Sequence, residues 1–154
     1  MTHKRCITTL ILALLLGAGT MALGIMAPNY YAERSDNARI KAVGTIERVD
    51  ILEVGKHFTR KLVIFRREFA VTAETEPVFN GTCKSVETDF QKRHGLVGPN
   101  VYFYPRQGDR VYVTITEAGG RITSLTQVTP ELEKALHSAP ESIRYGMSSA
   151  YVQE

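Results

Sequence analysis

The chain has 154 residues, 44% of them hydrophobic and 23% charged, which excludes wholesale disorder and leaves room for one modest domain. Lys4 and Arg5 supply two of the 19 basic residues, so the rest carries 17 against 16 acids and is close to neutral. Binding nucleic acid through its phosphates needs a clear basic excess, so no nucleic-acid partner is expected.

The N-terminus carries the strongest signal. Residues Cys6–Ala27 contain no charge, and the polar side chains in the run are threonines and one cysteine. As a helix it would reach about 33 Å, enough for a hydrocarbon core of roughly 30 Å. Lys4 and Arg5 favour an N-terminus inside and a C-terminal domain outside the cytoplasm. Residues 1–28 therefore read as a signal-anchor, giving a single-pass membrane protein, or as a signal peptide cut near Ala22 or Gly24. Either reading exports the remainder. Cys6 precedes the apolar core and so is not a lipoprotein cysteine. Cys83 is then the lone exported thiol, read as a small buried hydrophobe or as half of a disulfide to another chain.

Residues 29–37 are polar and read as a linker, with Tyr30 and Tyr31 placed where a membrane interface would be. From Ala38 the pattern has period two. Ile40, Ala42, Gly44 and Ile46 fall on one face, with a bend or bulge expected at Gly44. Thr59–Thr72 repeats the pattern, and Arg66-Arg67-Glu68 marks a turn or a solvent-facing edge in it. Glu74–Asn100 reads as irregular, with a short helix inside Thr82–His94 capped by Thr82 and stopped by Gly95.

Val101–Tyr104 reads as a short strand before a turn at Pro105–Asp109. Val111, Val113 and Ile115 then alternate with Tyr112, Thr114 and Thr116. Glu117–Gly120 turns the chain and Ile122–Val128 returns, which specifies a hairpin. Thr129-Pro130-Glu131 opens a helix with an N-cap hydroxyl, a proline in the first turn and acids at the positive dipole end; Pro140 limits it. Residues 38–137 make the small exported β-domain, and 138–154 read as a flexible C-terminal tail.

The expected class is mainly β: a small antiparallel β-barrel or rolled sheet with one or two short helices, preceded by the N-terminal apolar helix. The bent Ile40–Val54 run and the Gly108-Asp-Arg-Val-Tyr-Val113 turn into strand resemble the oligonucleotide/oligosaccharide-binding (OB) barrel in order. An SH3-like barrel, or a plain sheet packed on one helix, explains the same pattern.

Chemistry is thinly signalled. His3, His57, His94 and His137 show no ligand spacing, and no metal or other cofactor is expected. Cys83 with His94 or His57 is the one thiolate pair the composition allows, as part of a small hydrolase. Glu74 with Glu76, and Glu87 with Asp89, are carboxylates two apart without a motif. Lys56, Arg60, Lys61, Arg66 and Arg67, interleaved with Phe58, Phe65 and Phe69, read as a solvated strand face with inward phenylalanines. Asn80-Gly-Thr82 matches a glycosylation acceptor in an expected loop. With no catalytic set in the sequence, the leading expectation is a non-enzymatic accessory component of an envelope complex, working through a protein partner. The alternative is an OB-like module binding a small ligand or glycan, lined by Tyr102, Tyr104 and Tyr112.

Overall fold

The structure, a computed structural model, describes residues 29–73, 75–94 and 100–153. The anchor or signal peptide expected over residues 1–28 lies outside these, as do Glu74, Gly95 and the Gly98-Pro99 pair. Among the described residues no helix is long and apolar enough to cross a membrane.

The elements run α1 (Asn29–Asp36), β1 (Ile40–Val54), β2 (Thr59–Ala70), β3 (Val78–Ser85), α2 (Asp89–His94), β4 (Arg110–Ile115), β5 (Ile122–Gln127) and α3 (Pro130–Ser138). A 3-10 turn at Pro140–Ser142 and a two-stranded hairpin of β6 (Ile143–Tyr145) and β7 (Ala150–Val152) follow. The molecule is mainly β, built on a five-stranded antiparallel sheet in the order β3-β2-β1-β4-β5 with a few short helices.

The sheet is not a closed barrel. Its edge strands β3 and β5 are joined by one isolated parallel bridge, Thr82 to Arg121, rather than by a ladder along that seam. They are nevertheless drawn into one apolar cluster that takes residues from all five strands, among them Ile46, Phe65, Phe79, Val113 and Ile122. Gly81 of β3 shows how near they come: a Cβ there would stand 2.9 Å from both Ile115 Cδ1 and Ile122 Cγ1. At the sheet centre the opposite face is covered too. Val43 and Tyr112, direct partners across β1 and β4, pack with Leu132 and Leu136 of α3 and with Ile143 and Ala150 of the small hairpin.

Several local expectations hold. Register shifts between Val43 and Gly44 where the bulge was expected, and a Cβ on Gly44 would meet the Arg66 carbonyl oxygen at 2.7 Å. The β4–β5 hairpin forms, and Gly119 takes the left-handed φ of +73° its turn requires. Helix α3 starts at Pro130 with the Thr129 hydroxyl accepting the Leu132 N–H at 3.2 Å.

Others are corrected. Residues 29–37 are largely the helix α1, which packs on β5 and β6, rather than a linker. Arg66-Arg67-Glu68 is not a turn but lies within an unbroken β2, where Arg66 and Glu68 face solvent as the other reading has it; Arg66 pairs with Glu47, Arg67 with the Thr75 carbonyl, and Glu68 with Arg110. Thr82 sits in strand β3, not at a helix start, since Phe79, Gly81, Cys83 and Ser85 bury one face at period two. Asn80 of the acceptor triplet is therefore in a strand rather than a loop. The short helix begins at Asp89, and the Thr88 hydroxyl accepts the Gln91 N–H in its first turn. Val101–Tyr104 is not a strand; Phe103 N–H reaches the Lys84 carbonyl as a single tie. Residues 138–153 are not a loose tail. Buried Ile143 and Ala150 and the bond from Leu125 N–H to the Ser148 carbonyl fasten them to the sheet.

Candidate functional site

The sheet's incomplete seam leaves a cleft of about 340 Å³ between β3 and β5, bordered by α1, the end of β1, the start of β2 and the 100–103 segment. That size falls at the lower end of small-molecule sites. Cys83, Val101, Phe103 and Ile122 give it apolar surface, and Tyr30, Tyr31 and Phe58 add aromatic surface.

Four cations border this space: Arg34 of α1, Arg60 of β2, Lys84 of β3 and Arg121 at the start of β5. One carboxylate, Glu53, stands among them. Strand register explains the crowding. Arg60 is the direct partner of Glu53 across β1–β2 and of Lys84 across β2–β3, so an acid and two bases form a row over three strands. Arg60 Nη2 lies 3.4 Å from Glu53 Oε2, which consumes the one negative charge.

Lys84 has no carboxylate partner among the described residues. Its Nζ donates to Asn100 Oδ1 at 3.0 Å and stands 4.1 Å from the centre of the Phe58 ring. Burial, and then the neighbouring Arg121 guanidinium, hold this ammonium below its usual pKa. The Arg121 guanidinium pairs with no carboxylate among the described residues, while its backbone N–H donates to the Thr116 hydroxyl. Arg34 lies 5.6 Å over the Tyr30 ring, and Tyr30 meets Tyr31 edge to face at 5.5 Å. Chemically the cleft offers positive charge that no carboxylate among the described residues compensates at Lys84 and Arg121, beside aromatic and aliphatic walls. It suits an anion with an apolar body.

The residues singled out from sequence are distributed differently. None of Tyr102, Tyr104 and Tyr112 lines this cleft. Tyr104 is 56% exposed at the surface, whereas Tyr112 is 1% exposed and bonds to the Tyr145 hydroxyl at 2.8 Å beneath α3. Burial pushes the Tyr112 phenol well above its ordinary pKa. The five-cation stretch divides: Arg60 and Phe58 reach the cleft, Lys61 pairs with Glu87, and Arg66 pairs with Glu47. Phe65 is buried against Phe79, ring centres 5.0 Å apart, and Phe69 turns to His137.

Cys83 and the histidines do not form a thiolate pair. His57 Nδ1 lies 3.1 Å from the His94 carbonyl oxygen, and His94 Nδ1 lies 3.0 Å from that of Phe90. Cys83, 3% exposed, has its thiol pushed up to about 11 by burial, the opposite of what a nucleophile needs. Glu87 and Asp89 take separate partners, Lys61 and Lys92. Among the described residues no group of three or more His, Cys, Asp and Glu could hold a metal ion.

Arg34, Lys84 and Arg121 went unread in the sequence. They come from three elements, and no local spacing marks them. No protein-family model matches the chain, and neither a curated protein nor a solved structure is found to match it.

Proposed function

We propose that this chain is an exported β-domain, held to the membrane by residues 6–27, that works without catalysis by binding a small anionic ligand in the cleft between β3 and β5. The observation that carries this reading is the Lys84 and Arg121 pair, which no carboxylate among the described residues answers, with Lys84 beside the Phe58 ring. Two like charges left without a counter-ion in a recess cost stability, and an anion removes that cost.

The strand order supports a rolled, OB-like module as the carrier. β1 lies between β2 and β4, β5 follows on β4, a short helix separates β3 from β4, and β3 meets β5 in parallel. A cleft at the mouth of such a roll is a natural ligand site.

The test is a thermal-shift screen of the full chain against soluble carboxylates, phosphates and short neutral glycans. A true ligand adds about 2.7 kcal/mol at a hundredfold excess over Kd. Anions are expected to stabilise the chain, and Lys84→Gln is expected to weaken the effect. A flat response across the anions would sink the reading.

A second reading, an accessory subunit contacting a protein partner in an envelope complex, is favoured by one feature. Beyond Thr45, β2 is the only strand among the described residues paired with β1, and there Ile51 and Val54 are 63% and 61% exposed with Leu52 beside them. Leu52→Lys should abolish recovery of a stoichiometric partner after crosslinking in the native cells; unchanged recovery counts against this surface.

A further inference from the structure

We infer that the ligand of this cleft is the headgroup of an anionic phospholipid in the membrane that holds the chain. The inference rests on the anchored reading above and deepens it. Tyr30 lies three residues past Ala27, the last residue of the apolar run, so the covalent chain keeps the two within about 11 Å of each other. With the run spanning, one wall of the cleft stands at headgroup depth. That wall is Tyr30, Tyr31 and Arg34, an aromatic pair and a cation, the side-chain types that settle at a membrane interface.

The rest of the cleft matches the same ligand. A phospholipid headgroup brings a phosphate, a polar glycerol and the start of two acyl chains. Arg121 and Lys84 supply charge for the phosphate; a guanidinium holds two phosphate oxygens at once, while an ammonium acts as a point charge. Asn100, which already accepts from Lys84 Nζ, lies beside the site a glycerol hydroxyl would take. Phe58, Val101 and Ile122 offer surface to the first methylenes. At about 340 Å³ the cleft holds a headgroup and the start of the chains but not a whole lipid, so the acyl tails stay in the bilayer. A neutral glycan would leave the Lys84 and Arg121 charges unanswered.

The decisive experiment uses the full chain in a non-ionic detergent, titrated with dioctanoyl-phosphatidylglycerol, dioctanoyl-phosphatidylcholine or glycerol 1-phosphate. Binding is read by thermal unfolding and by tyrosine emission, which no tryptophan obscures. The expected result is stabilisation by phosphatidylglycerol, at least tenfold weaker binding of phosphatidylcholine, and about fivefold loss of phosphatidylglycerol affinity for each of Lys84→Gln and Arg121→Gln. Arg34→Gln, on a different element, serves as the independent variant if either of these fails to fold.

Glycerol 1-phosphate binding as tightly as the lipid would overturn the lipid assignment while leaving an anion-binding module in place. Equal response to both lipids, or folded variants that bind phosphatidylglycerol like the wild type, would overturn it as well. Silence toward phosphatidylglycerol, glycerol 1-phosphate and the soluble anions together would overturn the module reading too.

Discussion

Arg60 and Lys84 face one another across β2 and β3 as direct cross-strand partners, and among the described residues only Arg60 has a carboxylate to answer it. Like charges directly opposite destabilise a sheet, and Arg121 adds a third cation at the seam. Removing a charge from this group should therefore not weaken the empty protein. Arg121→Gln is expected to leave ligand-free stability unchanged or raised by up to about 1 kcal/mol, in chemical denaturation at low ionic strength. A loss greater than about 1 kcal/mol would show that Arg121 is a structural residue.

Cys83 is expected to be inert in the folded protein. Peptide mapping after iodoacetamide at pH 8 should find it unmodified in the native chain and modified after denaturation, whatever happens at Cys6. Its raised pKa also sets a pH dependence. The unfolded thiol ionises near pH 8.5 and the folded one near about 11, so the unfolded state holds fewer protons between those values. Stability should fall across that window in the wild type relative to Cys83→Ala, as followed by urea unfolding.

Gln91 pins α2 to the β1–β2 turn from a buried position. Its Nε2 donates to the Gly55 carbonyl at 2.8 Å and to the Thr59 hydroxyl at 3.2 Å, and its Oε1 accepts the Glu87 N–H at 2.9 Å. Gln91→Ala leaves these groups without partners and should cost about 2–4 kcal/mol in equilibrium unfolding. A loss below about 1 kcal/mol would mean that water replaces the amide.

Arg110 joins two elements, pairing with Glu68 of β2 at 2.6 Å and with Glu133 of α3 at 2.6 Å. The Thr45 hydroxyl first, and then Arg110, hold the Glu68 carboxyl below its usual range; Arg110 does the same for Glu133. Depressed carboxylate values stabilise the fold above the unfolded pKa of about 4.3, and the gain is lost as pH falls through the lower folded values. The difference in melting temperature between wild type and Arg110→Met should be largest near neutral pH and should close below about pH 4. High salt should shrink it, because the groups are solvent-accessible.

The readable parts of the fold were those in which local pattern and burial agree. Ile40, Ala42 and Ile46 alternate with polar residues, and that face is the buried one. The β4–β5 hairpin carries β-branched residues on both arms and a Gly-Gly turn. Thr129 and Pro130 mark a helix start by chemistry that acts within one turn. β3 was hidden because its buried face is built from Gly81, Cys83 and Ser85 beside Phe79; these small residues look like turn residues in a linear sequence, and Gly81 lies close against Ile115 and Ile122. α1 was hidden because its sequence is polar; packing against β5 and β6, rather than an apolar stripe, accompanies it.

By itself the sequence determined the class of the domain, its hairpin, its capped helix and the near-neutral charge of the part after residue 5. Each of these follows from composition or from a period of two or 3.6 residues, and such periods act over one or two turns of chain. Where charge gathers depends on packing between strands. Arg34, Arg60, Lys84 and Arg121 are far apart in the chain, and strand register together with the close approach of β3 to β5 brings them to one cleft. Register and sheet curvature are products of packing across strands, so a net charge near zero concealed a strongly positive site.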